Sequence, residues 1–168
     1  MSMNMGGESG VEPATIRGRD WPCLRQFGVF MENRVGSMHE LLRKLESQDV
    51  RIMALSIVDT IDSAIARLIV NNYDRGKDLL ALTNFPVFET DLIGVELPDD
   101  PQPFVKICLA LLQAELNIYY TYPLLFRRKG RGAIALYVDD IDLGLKALSQ
   151  HGHRIITEND LLEDDEFF

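Results

Sequence analysis

No stretch of this sequence is apolar over the roughly eighteen residues that a membrane-crossing helix requires, so no membrane partner is expected. The first residues, MSMNMGGESGVEP, lack the basic and then apolar segments of a secretory signal, and the cytoplasm is the expected compartment. Cysteine is scarce. Of the two, Cys108 falls on a helical apolar stripe and reads as a small core residue, while Cys23 precedes the first strand and reads as a free thiol. Basic residues are also short, with 17 Lys and Arg against 26 Asp and Glu and a formal charge of −9. Six of the acids lie between Glu158 and Phe168, which leaves −3 for residues 1 to 157. Neither part offers the basic face that phosphate backbones need, so nucleic acid is not an expected partner. The one basic run, Arg127 to Gly132, reads as a solvated hairpin tip. No Ser/His/Asp or Cys/His set and no phosphate loop is visible, and His151 and His153 have no Cys or carboxylate at ligand spacing. No catalytic residue, metal or cofactor is expected.

What is present is organised around Phe27 to Leu45. Phe27 to Met31 is short and apolar, as a buried strand is, and Asn33-Arg34-Val35-Gly36 breaks it with a glycine able to take positive φ. Ser37 with Glu40 three residues on reads as a capping box. Met38, Leu41, Leu42 and Leu45 then follow at helical spacing and form one apolar face. Val50 to Asp59 and Ala64 to Val70 read as a strand hairpin, the latter with Ala64, Ala66, Leu68 and Val70 on one face. A helix capped by Asp74 follows, with Leu79 and Leu82 facing inward and Pro86 preventing its continuation.

The pattern then returns. A constant shift carries Gly28-Val29 onto Gly94-Val95, Met38 onto Phe104, Leu41 onto Ile107, Leu42 onto Cys108 and Leu45 onto Leu111. A slightly larger shift carries Ala64-Ile65-Ala66 onto Ala133-Ile134-Ala135, the extra residues falling in the basic hairpin. A register held across strand, helix and strand predicts two copies of one unit. Each copy reads βαββαβ, which gives an α+β fold of two ferredoxin-like units with helices on one face of an antiparallel sheet. The units are expected to pack side by side as a continuous sheet of about eight strands, since a bare edge must otherwise be shielded. The expected limits are an extension over 1–22 that does not fold on its own, a first domain at 23–90, a second at 91–159 and an acidic tail at 160–168.

Glu32-Asn33-Arg34-Val35-Gly36, set between an apolar strand and a helix and followed by the Val50-Arg51-Ile52 strand, resembles the ACT domain, a small regulatory module of amino-acid metabolism. The resemblance implies two such modules, an ACT-ACT protein without an attached enzyme, that bind a free amino acid at the seam between modules. Carried over to this sequence, the ligand-binding residues are Asn33, Arg34, Val35, Gly36, Ser37 and Met38 of the first loop and Asn117, Ile118 and Tyr119 at the start of the second module's second strand. Val35 replaces the family's usual proline, and the second loop, Asp99 to Pro103, lacks the glycine, so one site per chain is expected. The implied function is non-catalytic amino-acid sensing. The alternative is an assembly subunit for an enzyme of amino-acid metabolism with a vestigial ligand site. A homodimer is expected in either case.

Overall fold

The computed structural model describes residues 22 to 163. Trp21 and the extension before it, and the acidic end from Asp164 with its two phenylalanines, lie outside the described residues. The first unit runs β1 (Leu24–Glu32), α1 (Ser37–Lys44), β2 (Ile52–Asp59), β3 (Ser63–Val70), α2 (Tyr73–Ala81) and the first half of β4 (Val87–Glu96). Its second half opens the second unit, which continues through α3 (Pro103–Gln113), β5 (Ile118–Arg128), β6 (Arg131–Val138), α4 (Ile141–Gln150) and β7 (Ile155–Ile156). A short α5 (Glu158–Leu162) follows.

β4 belongs to both units. Val87 to Leu92 pair antiparallel with β1, Ile93 to Glu96 pair with β6, and Gly94 and Val95 also pair with β7. The strands therefore form one hydrogen-bonded path, β2-β3-β1-β4-β6-β5, and the sheet has seven strands because one is shared. The junction between the units lies inside an unbroken strand.

Side-chain alternation along these strands sorts the core into layers. On the outer face, Phe27, Val29, Ala66 and Leu68 bury Leu41, Leu45 and Leu80 of the first unit's helices and helix ends. Ile93, Val95, Ile134 and Leu136 do the same for Ile107, Leu111, Leu145 and Leu148 in the second. On the other face, Leu24, Met53, Ile69 and Leu92 meet Tyr122, Leu124, Phe126 and Ala135 in a third cluster that joins the two units. The sheet curls to enclose it, and β2 at one end of the path lies against β5 at the other. Full burial of such side chains contributes about 1.5–3 kcal/mol each. The repeat is visible in this packing: a Cβ on Gly28 would strike the Phe88 ring at 2.1 Å, and one on the matching Gly94 would meet Leu24 at 2.6 Å.

Several local readings are corrected. The N-cap of α1 is Gly36, without a side-chain cap, and Ser37 is instead the buried first helical residue. Asn72, not Asp74, caps α2 by accepting from the Arg75 N–H, and Leu82 lies exposed past the helix end while Leu80 is buried. The cysteines exchange roles, with Cys23 buried and Cys108 exposed. On α3 the outward face carries Phe104, Val105, Cys108, Leu109 and Leu112, all exposed. The segment Glu158 to Leu162, which runs into the expected acidic tail, is a helix with a complete Thr157/Asp160 capping box and a buried Leu161. Among the described residues no helix is long and apolar enough to cross a membrane.

Candidate functional site

The turn after β1 sets up the first candidate site. Gly36 takes φ 93°, the left-handed region that glycine enters without steric penalty, and so turns the chain directly into α1. No side chain caps the helix; the Ser37 N–H donates to the Arg34 carbonyl at 3.3 Å, and the remaining N–H groups of the first turn have no partner within the helix. Asn33 braces this turn from the side, its Nδ2 donating to the Thr60 carbonyl at 2.9 Å, which holds the β2–β3 hairpin against the loop. In a βαββαβ unit the end of the first strand and the central hairpin meet at the same end of the sheet.

Between these elements lies a cleft of about 490 Å³. Its apolar lining residues are Phe30, Met31, Leu82, Phe85 and Pro86. Its lining also carries both signs of charge and a hydroxyl, from Glu32, Arg34, Ser37, Glu40, Lys44 and Asp62. Arg34 reaches Glu32 at 3.2 Å and Glu40 at 3.3 Å, pairs exposed enough to exchange partners at little cost. Such a surface can hold a small zwitterion, anion toward the helix start and cations, ammonium toward the carboxylates, with its side chain against the apolar lining residues.

Of the residues expected from the sequence, Arg34 and Ser37 line this cleft. Asn33 and Gly36 belong to the turn before α1 but are not among the lining residues, Val35 is fully exposed, and Met38 packs against the first unit's core. Asn117, Ile118 and Tyr119 are not among the cleft's lining residues. Asn117 is exposed with its backbone N–H donating to Asp139, Ile118 packs into the second unit's helix-side core, and the Tyr119 ring sits 5.3 Å from that of Tyr137. The hairpin and α2–β4 contributions, Asp62, Ser63 and Thr83 to Pro86, went unnoticed in the sequence. The predicted βαββαβ order was the signal that could have found them, because it places those loops beside the first one.

A second polar set lies inside the molecule. Gln26 of β1 accepts from the Tyr122 hydroxyl and donates to the Tyr120 hydroxyl at 3.0 Å, and the Arg67 guanidinium lies 3.7 Å from the Tyr120 ring centre. Burial pushes the Tyr122 and Tyr120 phenols up from their ordinary range. On the outer face Arg25 donates two hydrogen bonds to Glu158, at 2.6 and 2.7 Å, with its guanidinium over the Tyr73 ring. The Tyr73 hydroxyl donates to Glu89, and burial followed by that carboxylate raises its pKa. The Gln26 and Arg25 sets tie β1 of the first unit to β5 and α5. Among the described residues no group of His, Cys, Asp and Glu is arranged to hold a metal ion.

The family model described as an ACT domain pair matches residues 23–163. The chain belongs to the ACT domain pair family. Among solved structures, protein BT0572 from Bacteroides thetaiotaomicron shares the fold with a TM-score of 0.75 and 24% identity, over 84% of this chain and 96% of that one. The ligand-free regulatory subunit of aspartate kinase from Thermus thermophilus is similar with a TM-score of 0.52 and 13% identity, over 80% of this chain and 95% of that one. Among curated protein sequences none matches. The ACT pair accounts for both units and for α5, which lies inside the matched range.

Proposed function

We propose that this ACT domain pair is a non-catalytic regulatory protein that binds a free amino acid at the first loop and responds by a change in shape or assembly. The observation that carries this reading is the cleft at the start of α1, where a helix start without a side-chain cap, charges of both signs and apolar residues converge. The regulatory character of the family and the named role of the aspartate kinase relative agree with it. For regulation, the ligand must favour one arrangement of the protein over another.

The test is a thermal scan with each of the twenty amino acids, since a ligand at a hundred times its Kd adds about 2.7 kcal/mol of stability. Ser37→Ala and Arg34→Ala are expected to weaken the responding amino acid by about tenfold or more, as loss of a hydrogen bond to a charged group does. Asn117→Ala separates a site confined to the cleft, which it leaves unchanged, from a seam shared with the second module's strand. Absence of any response would sink the sensing reading.

The second reading, an assembly subunit for itself or for an enzyme of amino-acid metabolism, is favoured by the apolar outer face of α3. In this reading Leu109→Glu lowers the mass found by light scattering from that of a homodimer to that of the single chain. An unchanged mass would remove α3 from the interface.

A further inference from the structure

The repeat makes α1 and α3 the same helix in two settings, and their outer faces differ. Leu41 and Leu45, and their matches Ile107 and Leu111, are all buried. The same shift carries His39, Arg43 and Glu46 to Val105, Leu109 and Leu112, so three polar outer positions become apolar. The fold accepts either kind of residue there, and the apolar choice on α3 answers to something other than the sheet beneath it. Phe104, Val105, Leu109 and Leu112 are 47% to 69% exposed, roughly 300–400 Å² of apolar side chain in all. Patches of that size are among the largest that a monomer carries, and they often serve binding.

The pattern of this face identifies its occupant. Cys108 lies midway along it and is its smallest residue, so a second helix can approach closely there with larger side chains on either side. Charge sets the direction. α3 carries one charged residue, Lys106 near its start, which is exposed and only 4.0 Å from Asp100, and Glu115 stands exposed just past its end. A parallel copy would set lysine against lysine, glutamate against glutamate and like helix poles together. An antiparallel copy brings each Glu115 to the other's N-terminal turn, on the side of Lys106, and sets Phe104 beside the other copy's Leu112. Pairing the face with itself doubles the apolar area, and a polar rim of Gln102, Lys106 and Gln113 brings the total to roughly the 1,000 Å² that a specific interface needs. A second copy thus supplies both the face and its charge match from this chain's own residues.

We propose that two copies of the chain pair through α3, antiparallel about a twofold axis at Cys108, with Phe104, Val105, Leu109 and Leu112 forming the buried centre of the interface. This rests on the assembly reading above and gives it a partner and a geometry. The interface joins second unit to second unit, and the cleft at α1 shares no residue with it.

Light scattering and thiol cross-linking on the full chain test this together. The expected mass is twice that of the single chain, and a short bifunctional maleimide joins two copies through Cys108, since Cys23 is buried. Cys108→Ser loses the cross-link and keeps the doubled mass. Leu109→Glu, at an exposed position, returns the single-chain mass with an unchanged circular dichroism spectrum. Lys106→Glu weakens pairing by about threefold to tenfold, and adding Glu115→Lys restores it. A doubled mass without the Cys108 cross-link and without response to Leu109→Glu would put the interface elsewhere, overturning the α3 pairing and leaving the assembly reading in place. A double charge variant that stays weak would overturn the antiparallel direction. A single-chain mass at every concentration would overturn self-pairing and leave α3 to an unlike partner. The cross-link on the unmodified chain holds even if a variant does not fold.

Discussion

Arg25 shows how a single residue ties distant parts of the chain together. Its guanidinium stacks on Tyr73 and forms a two-point pair with Glu158, a residue from beyond the second unit, and both partners of that pair are largely buried. Removing one member of such a pair leaves the other charge without compensation. Glu158→Ala is therefore expected to lower unfolding free energy by about 3 kcal/mol in urea titration. Glu158→Gln retains part of the hydrogen bonding and should fall between. Tyrosine supplies the pH dependence. Tyr73, Tyr120 and Tyr122 have folded pKa values raised by burial, so they keep their protons where the unfolded chain has lost them. The folded state then binds more protons above about pH 10, and stability falls as pH rises through and beyond that value. Phenolate absorbance during alkaline titration should show these three tyrosines ionising only as the chain unfolds. Early ionisation of all five tyrosines would contradict the packing around Gln26.

Among the elements, α5 departs most from its appearance in the sequence. Its acids suggested a solvated end, yet Thr157 and Asp160 close a capping box, Asp160 pairs with Arg128 at 3.1 Å, and Leu161 is buried against the inter-unit core. Leu161→Ala is expected to cost about 2–5 kcal/mol, and Thr157→Ala about 1 kcal/mol, in the same urea assay. A change below about 0.5 kcal/mol for Leu161→Ala would mean the helix does not dock. The strands and helices of both units were legible in the sequence because periodicity and breakers such as Gly36 and Pro86 act locally. What the sequence did not reveal was decided by partners far along the chain. Ser37 had the spacing of a cap, but Gly36 in left-handed geometry occupies the cap position. Cys108 fell on an apolar stripe, but α3 is apolar nearly all round, so periodicity could not say which side faces in. Of the candidate site, the loop chemistry was legible at Arg34 and Ser37. Asp62 was not, because its place in the cleft depends on which loops the sheet gathers at that end.

At the scale of the whole molecule the two units cannot be stable apart as they stand, since they share β4 and one interior core. Denaturation followed by fluorescence and by circular dichroism should give one coincident transition. Phe126→Ala, in the second unit but within the shared core, should shift that single transition by about 3–5 kcal/mol. Two separated transitions would show that the core does not couple the units. The shared strand also governs which changes of chain length the protein can absorb. Along β4, Phe88, Leu92 and Gly94 face the interior while Glu89, Ile93 and Val95 face the helices, without a break at the junction. One residue inserted between Leu92 and Ile93 would invert that alternation for everything downstream and turn α3 and α4 toward the interior. Two inserted residues restore the facing, whereas the Lys129–Gly130 tip of the neighbouring hairpin has no such parity to respect. Insertion scanning should therefore find β4 sensitive to odd and even lengths in different degrees, and the hairpin tip indifferent to the distinction.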